Sequence, residues 1–598
     1  MPRAKPDKSA GTPSPLASAR DLIDDHESAL SAQQRRESGV HYTPAVLADF
    51  LVSRSIDSYI EMNGRLPSTI CDMTCGAGAF LVSAAEQLAA RGVDPFEIVN
   101  DRIVGYELDP EAVDVAHRVL IEWAQSRTGK VLAALSPQVR VGDALTGELV
   151  SDGRQFDLVV GNPPFLTQLR AATAFDRDRF EALTRVLGPL DSYVDASAVF
   201  MLLASQITVQ GGVTCLVLPQ SFLSVRGTQS IRDRLGGHCE LISLWSTDAQ
   251  FFDASVQVCA VSVSPVVHLE ADVSGDVSTS EAADLAGSTR RATVDTVEVL
   301  WGGSRTSMES VTLHRAATPT LGDSWGPLLS GPLGIPNVSI SHGGKSLADV
   351  ATSTAGFRDE YYALRDTCIE DPASADQSVP SSAGGEHQVR RYPRLVSVGM
   401  VRPCASTWGQ RRTRIGGNLW DTPVVDLEKL AAVSPRVARW VDARLVPKVL
   451  VATQTRVVEA VADTSGNWIP MTPVISVEPL GEWNSIVGSE LEAGDELWWI
   501  VAALSAPSVS AWALSQNLGA GLSTQSLRWS AKSVLKVALP LNISCWRAGA
   551  QAARELSMCP EGARRELLER LGRQMCDAYG HGDRDDLFQW WLERALRA

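Results

Sequence analysis

The sequence lacks any long uninterrupted apolar run. Hydrophobic residues make up 44% of its 598 positions, yet no stretch approaches the roughly 20 apolar residues that cross a bilayer as a helix. The N-terminal segment MPRAKPDKSAGTPSPLASAR also lacks the apolar core of a signal peptide. We therefore expect a cytoplasmic protein with no membrane partner.

Paired cysteines and excess positive charge are also missing. The ten cysteines show no metal-site spacing, so we expect buried free thiols and no metal centre. Lys and Arg total 54 against 70 Asp and Glu, a net charge of −16. This balance argues against an indiscriminate polyanion binder and leaves room for a local basic face.

Apolar segments alternate with helical ones between residues 21 and 265. The seven predicted strands are 67–74, 101–108, 137–145, 156–162, 211–219, 240–246 and 256–264. Such alternation is typical of a parallel sheet with crossover helices. We predict an α/β, Rossmann-like, seven-stranded domain over residues 21–265.

The rest of the chain divides by composition. Residues 1–20 are expected to form a disordered arm, and the acidic, small-residue stretch within 266–319 is expected to be a linker or excursion. A mixed α/β region is predicted for 320–545, followed by a helical C-terminal segment at 546–598.

Three successive predicted strands end in residues suited to a nucleoside. Gly76 and Gly78 form a turn after the first strand, Glu107 ends the second and Asp143 follows the third. Glycines let a backbone approach a ligand, and an acid at the second strand end can hold ribose hydroxyls. Singly, each has a plainer explanation: a helix-start turn, a capping acid or a turn aspartate. Together they describe an adenosine-shaped site.

The fourth strand ends in NPPF, residues 162–165. Two prolines force an extended path whose carbonyls are not consumed by a helix. The Asn162 side-chain carbonyl and the Pro163 backbone carbonyl could accept both hydrogens of an amine. Phe165 could stack on the ring that carries it, a contact worth about 1–3 kcal/mol. Such acceptors would localise the lone pair of an aromatic amine and make it nucleophilic.

In their order, these motifs resemble S-adenosylmethionine-dependent DNA adenine-N6 methyltransferases of the gamma arrangement, similar to stand-alone and type IIG modification enzymes. The resemblance rests on HYTPAVLADFLV (41–52), DMTCGAGAFL (72–81), VGYELDP (104–110), GDAL (142–145) and NPPF. Met73, where the family often has Pro, and Phe165, where Tyr is commoner, depart from the pattern without removing a required group.

The resemblance implies a role for each matched residue. Tyr42, Thr43, Pro44, Asp72, Gly76, Gly78, Glu107 and Asp143 would bind the cofactor S-adenosylmethionine. Asn162, Pro163 and Phe165 would be catalytic. Phe252 would contact the flipped base from the other side, with Phe251 as the second choice.

A local basic region indicates where DNA would bind. Residues 388–456 contain thirteen Lys or Arg and four Asp or Glu, a balance of +9. Because the matched family must grip a duplex, residues 320–545 would be its target-recognition domain. The candidate DNA contacts are Arg390, Arg391, Arg411, Arg412, Arg414, Lys448, Arg456, Arg528 and Lys532, although a solvated charge cluster is the plainer alternative.

Other functions stay open at this point. Protein-amide and RNA methyltransferases share an Asn-Pro-Pro-aromatic strand end, cytosine-N4 enzymes more often carry Ser in place of Asn162, and an inactive DNA-binding specificity subunit could keep the fold. We find no nuclease motif, so a cleaving or phage-defence partner would be a separate subunit. The expected partner is double-stranded DNA, in restriction-modification or phage defence.

Overall fold

The computed structural model describes residues 15–29, 43–130, 134–146, 148–151, 153–165, 183–190, 194–252, 256–266, 295–340, 344–372, 391–481, 483–488, 490–519 and 526–597. The chain forms two compact units, Met1–Pro332 and Leu333–Ala598.

A mixed sheet of nine strands, counted over the described residues, organises the first unit. The strands are β1 Ile70–Asp72, β2 Ile103–Glu107, β3 Gln138–Val141, β4 Phe156–Gly161, β5 Thr208–Pro219, β6 Cys239–Ser246, β7 Val258–Pro265, β8 Thr296–Trp301 and β9 Thr312–Ala317. Their order is β3-β2-β1-β4-β5-β7-β6-β8-β9. Strand β7 runs antiparallel to both neighbours, whereas β1 to β5 are mutually parallel.

Helices cover this sheet, whose central strands are largely buried. Every residue of β4 is buried, as expected for a parallel strand covered on both faces. They include α1 Pro15–Ala29, α2 Ala45–Asn63, α3 Ala79–Ala90, α4 Pro110–Thr128, α5 Glu148–Ser151, α6 Ala196–Ile207 and α7 Gln229–His238. Helix α4 starts where Asp109 accepts a hydrogen bond from the Glu111 amide, with Pro110 in the first turn.

The carboxyl ends of β1 to β5 meet at one edge of the sheet. Ile70 of β1 pairs with Ile103 of β2 and Leu158 of β4, and Gly161 of β4 pairs with Leu216 of β5. Open parallel sheets bind ligands at this edge. The register therefore places the strand-end residues Asp72, Glu107 and Asn162 along one side of the unit.

The predicted α/β class and all seven predicted strands are confirmed, but the expected linker is not. Residues 296–317, within the segment 266–319, supply strands β8 and β9. Strand β8 pairs in parallel with β6, and β9 pairs antiparallel with β8. The first unit therefore extends to Pro332 instead of ending at residue 265.

The second unit contains two four-stranded sheets among its described residues. The strands are β10 Ala351–Ala355, β11 Cys368–Glu370, β12 Arg394–Val396, β13 Val401–Arg402, β14 Ala405–Ser406, β15 Thr413–Ile415, β16 Asn418–Trp420, β17 Pro423–Val425, β18 Lys448–Ala452, β19 Glu459–Asp463, β20 Trp468–Pro470 and β21 Ile475–Pro479. One sheet has the order β10-β21-β18-β19 and the other β11-β17-β12-β20, with two-stranded hairpins β13-β14 and β15-β16.

Helices of the second unit include the C-terminal segment that we expected to be separate. They are α8 Arg358–Thr367, α9 Leu427–Val433, α10 Pro435–Asp442, α11 Trp483–Val487, α12 Asp495–Leu504, α13 Pro507–Gln516, α14 Ala531–Val534, α15 Ile543–Met558, α16 Arg564–Ala578 and α17 Asp585–Ala595. Trp546 of α15 packs edge-on against Trp499 of α12, with ring centroids 4.9 Å apart, and donates to the Trp499 carbonyl. The segment 546–598 is thus part of this unit.

All ten cysteines are free thiols, and eight of them are buried.

Over the described part of the chain, no single helix is long and apolar enough to span a membrane, although α12 and α13 together pass that test as a pair bent by 57°.

Candidate active site

A glycine-containing turn connects β1 to α3. Gly78 precedes α3 with φ of 99°, and Gly76 has φ of 52°, a left-handed conformation that favours glycine. The turn is fastened to β2, because the Cys75 amide donates to the Tyr106 carbonyl over 2.9 Å. A Cβ at Gly76 would meet no atom within 4 Å. The backbone of the turn therefore borders open space in which a ligand could lie.

Glu107, at the end of β2, ties that turn to the sheet edge. Its carboxylate accepts hydrogen bonds from the Gly76 amide at 2.9 Å, the Leu108 amide at 2.8 Å and the Asp109 amide at 3.1 Å. Glu107 thus accepts from backbone amides, as a capping acid does, which was the plainer explanation of this residue. Its position beside the turn also suits the predicted ribose contact.

Asp143 follows β3 on the neighbouring strand. The Gly142 amide donates to the Glu107 carbonyl, which keeps the ends of β2 and β3 together. The Asp143 carboxylate accepts from the Leu145 amide over 3.0 Å. The predicted ribose and adenine acids therefore lie on adjacent strand ends.

Leu108 is a candidate that our sequence reasoning missed. The residue is 58% exposed, although three of the five residues of the preceding strand β2 are buried. It lies between two acids, Glu107 and Asp109. A flat base needs an apolar surface as well as polar contacts. The apolar residue between two acids at a predicted nucleoside site is therefore the sequence signal that could have identified Leu108.

Asp72, the last residue of β1, is buried beside the end of β4. Its side chain is 1% exposed, and Oδ1 accepts from the Thr74 amide. Burial, with a smaller contribution from the negative charge of Glu107, raises the pKa of Asp72 to about 7. A Cβ at Gly161 would come within 2.6 Å of Asp72 Oδ1. Only glycine therefore fits at residue 161, directly before Asn162.

The NPPF segment leaves the sheet directly after β4. Asn162 is half-buried, Pro163 is buried and Phe165 is 8% exposed. The Asn162 amide nitrogen donates to the Thr43 hydroxyl over 3.0 Å. The structure thus brings together Thr43 and Asn162, which our sequence reasoning assigned to different tasks. Tyr42 lies outside the described residues.

Two phenylalanines from separate loops meet next to this segment. The Phe165 and Phe252 ring centroids lie 6.0 Å apart, with the ring planes at 87°. Phe251 instead packs edge-on against Trp245 at 5.2 Å. This geometry favours Phe252, our first choice, over Phe251 as the second aromatic of the site.

Most of the predicted DNA-binding residues are exposed in the second unit. These are Arg391, Arg411, Arg412, Arg414, Arg456, Arg528 and Lys532. Two of them form exposed ion pairs, Arg391 with Glu428 and Arg412 with Asp421. Arg390 lies outside the described residues.

The prediction that Lys448 contacts DNA is wrong. Its side chain and that of Asp463 are both 0% exposed, and Nζ lies 2.7 Å from Asp463 Oδ2. Nζ also donates to the Val446 carbonyl. Burial lowers the pKa of Lys448 against the raising effect of Asp463. The Lys448 ammonium group is therefore part of the protein interior and cannot reach a phosphate.

Comparison with known proteins agrees with the geometry. Residues 24–263 match the family described as N-6 DNA Methylase. The Type II methyltransferase M.VspI of Vibrio sp. (strain 343) is 26% identical over 212 residues, 35% of this chain and 44% of that protein. M.BanIII of Aneurinibacillus aneurinilyticus is 25% identical over 231 residues, 37% of this chain and 38% of that protein. The matched regions thus span less than half the length of these relatives.

The fold likeness extends beyond the matched region. The Type IIL restriction-modification enzyme MmeI, solved in complex with DNA, aligns over 97% of this chain and 82% of its own, with a TM-score of 0.53 and 13% identity. At that identity the likeness concerns the fold alone. The family match, residues 24–263, therefore contains the whole sheet edge described above.

Proposed function

We propose that this protein is a site-specific DNA methyltransferase. It would transfer a methyl group from S-adenosylmethionine to the N6 amine of an adenine rotated out of the duplex. The observation that carries the proposal is the NPPF segment, held at the carboxyl edge of the sheet beside the glycine turn and in contact with Phe252.

The residues at the sheet edge fit the cofactor. The open side of Gly76 provides room for it, and the acids Glu107 and Asp143 lie on neighbouring strand ends. Pro44 would cover its methionine part, and Asp72, Gly76 and Gly78 would line its binding turn. When bound, S-adenosylmethionine supplies an electrophilic methyl carbon, and the electrons of the broken carbon–sulfur bond stay with sulfur.

The chain's own groups would prepare the amine. Asn162 Oδ1 and the Pro163 carbonyl would accept its two hydrogens, which favours a tetrahedral nitrogen with a localised lone pair. The lone pair would then be directed at the methyl carbon that the cofactor supplies, and the proton of the methylated nitrogen would be released to solvent. Phe165 would stack on the adenine ring, so the nitrogen is held within reach.

DNA would be held by the exposed arginines and lysine of the second unit, which is the proposed target-recognition domain. We place the reaction in restriction-modification or phage defence, with cleavage, where it occurs, supplied by a separate subunit. A DNA substrate implies the compartment that holds DNA, which we propose is the cytoplasm.

The test is methyl transfer from tritiated S-adenosylmethionine to genomic DNA, followed by nucleoside analysis. We expect N6-methyladenine with the wild-type protein and none with Asn162→Ala, provided that both melt at similar temperatures. Label found only in RNA or protein would overturn the proposal. Absence of label with every acceptor would favour an inactive specificity subunit.

A further inference from the structure

The Asn162 side chain must present one end of its amide to the target. Only its Oδ1 can accept a hydrogen from the adenine amine, because the amide nitrogen is itself a donor. The nitrogen end faces Thr43, whose hydroxyl oxygen lies 3.0 Å from Nδ2. This hydrogen bond turns the Oδ1 end of the amide away from Thr43.

Thr43 is well placed to hold that amide, because its backbone is restrained. Residues before proline are confined to extended conformations, and Pro44 caps α2 with φ of −54°. The Pro44 carbonyl accepts from the Leu47 and Ala48 amides, and both of those residues are fully buried. The hydroxyl is therefore anchored to the core through the first turn of α2.

Asn162 is restrained from its other side as well. The preceding residue, Gly161, lies so close to Asp72 Oδ1 that a Cβ would come within 2.6 Å of it. The following residue is the rigid Pro163. With the backbone fixed on both sides, the rotation of the amide is the main freedom left to this residue, and the Thr43 hydroxyl restricts it.

We propose that Thr43 is a positioning residue that orients the Asn162 amide toward the target amine. This inference rests on the proposed function and differs from the family-implied role of Thr43 as a cover for the cofactor's methionine part. A cofactor cover would change cofactor affinity. A positioning residue would change the rate of methyl transfer while cofactor affinity stays constant.

The experiment compares Thr43→Val, which keeps the shape and loses the hydroxyl, with Thr43→Ser, which keeps the hydroxyl. Single-turnover methyl transfer is measured at saturating S-adenosylmethionine, and S-adenosylhomocysteine binding is measured by calorimetry. We expect Thr43→Val to lower the rate about 10- to 100-fold with a dissociation constant within about twofold of wild type. Thr43→Ser should recover most of the rate.

Two results would overturn the inference. One is weaker S-adenosylhomocysteine binding by Thr43→Val with an unchanged transfer rate, which would make Thr43 a cofactor contact. The other is no change in either quantity. A crystal structure of Thr43→Val serves as a test that needs no activity, because the Asn162 amide should rotate away from its present orientation. An unmoved amide would reject positioning even if the wild-type protein methylated no DNA.

Discussion

Buried carboxyl groups make the stability of the folded protein depend on pH, and Asp72 is such a group within the candidate site. Its pKa is raised to about 7 from 3.8, so the folded state keeps a proton that the unfolded chain releases near pH 4. Stability should therefore fall as pH rises from about 4 to 7 and stay lower above that range.

The substitution Asp72→Asn should remove the loss of stability that accompanies the rise in pH. We expect the variant to match wild type at pH 4 and to exceed it by about 2–4 kcal/mol at pH 8, measured from urea unfolding at both pH values. Glu360 and Glu459, whose pKa values are raised to about 7 and about 8 by burial, titrate in both proteins, so they cancel in the difference. Parallel curves for variant and wild type would contradict the prediction.

The buried pair Lys448 and Asp463 leads to a second prediction. Lys448→Ala would leave the Asp463 carboxylate uncompensated in the interior, which should lower the free energy of unfolding by about 3–5 kcal/mol. Arg456→Ala is the matched control, because Arg456 is an exposed cation on the connection that follows β18, the strand of Lys448. Its effect should stay within about 0.5 kcal/mol, and equal urea midpoints for the two variants would show that the pair does not stabilise the unit.

Individual residues differed in how far the sequence could locate them. The acids and glycines at strand ends were predictable, because parallel strands place their carboxyl ends along one edge. The burial of Lys448 was not predictable, since its local sequence, RLVPKVLVAT, fits an exposed lysine at a strand end as well as a buried, ion-paired one. The burial of Lys448 depends on its ion pair with Asp463, fifteen residues away. Such a pair depends on the tertiary fold.

At the scale of elements, the loop after β4 and the loop after β6 meet through one aromatic contact. The Phe165 and Phe252 rings are nearly perpendicular with centroids 6.0 Å apart. An adenine sandwiched between parallel rings needs two stacking contacts of about 3.5 Å each. For adenine to stack between them, as we propose, one of the rings would therefore have to move.

Replacement of Phe252 should separate stacking from packing. We expect Phe252→Leu, which keeps an apolar side chain, to lower kcat/KM by about tenfold or more because a stacking contact is worth about 1–3 kcal/mol. Phe252→Tyr should retain most of the activity. Thermal midpoints control for folding, since Phe252 is 2% exposed; equal kcat/KM for the two variants would assign Phe252 to the core alone.

The elements that escaped prediction share a physical reason. Strand β9, Thr312–Ala317, has four exposed residues and none that is buried, so it carries little hydrophobic signal. Strand β8, Thr296–Trp301, is apolar but follows an acidic, small-residue stretch that masks it in a composition-based division. Strands at the edge of a sheet are specified by pairing more than by burial, and pairing partners are not visible in one sequence.

At the scale of the whole molecule, the net charge of −16 opposes approach to DNA. Binding would therefore depend on the local excess of positive charge in the second unit. Cations that contact phosphates release counterions, so the affinity for DNA falls with salt with a slope of about −0.9 per phosphate contact. A charge that acts only through the overall field has no such contact and should leave the slope unchanged.

Two double variants with the same net charge distinguish these cases. Arg411→Ala with Arg414→Ala removes two exposed arginines at the β15 hairpin, whereas Arg565→Ala with Arg573→Ala removes two from α16, where they pair with Glu569 and Asp585. We expect the first to reduce the salt slope by about 1.8 and the second to leave it unchanged, measured by fluorescence anisotropy of duplex DNA between about 50 and 200 mM salt. Equal slopes for the two would mean that Arg411 and Arg414 act through the general field, and the DNA-binding surface would then have to be sought elsewhere on the chain.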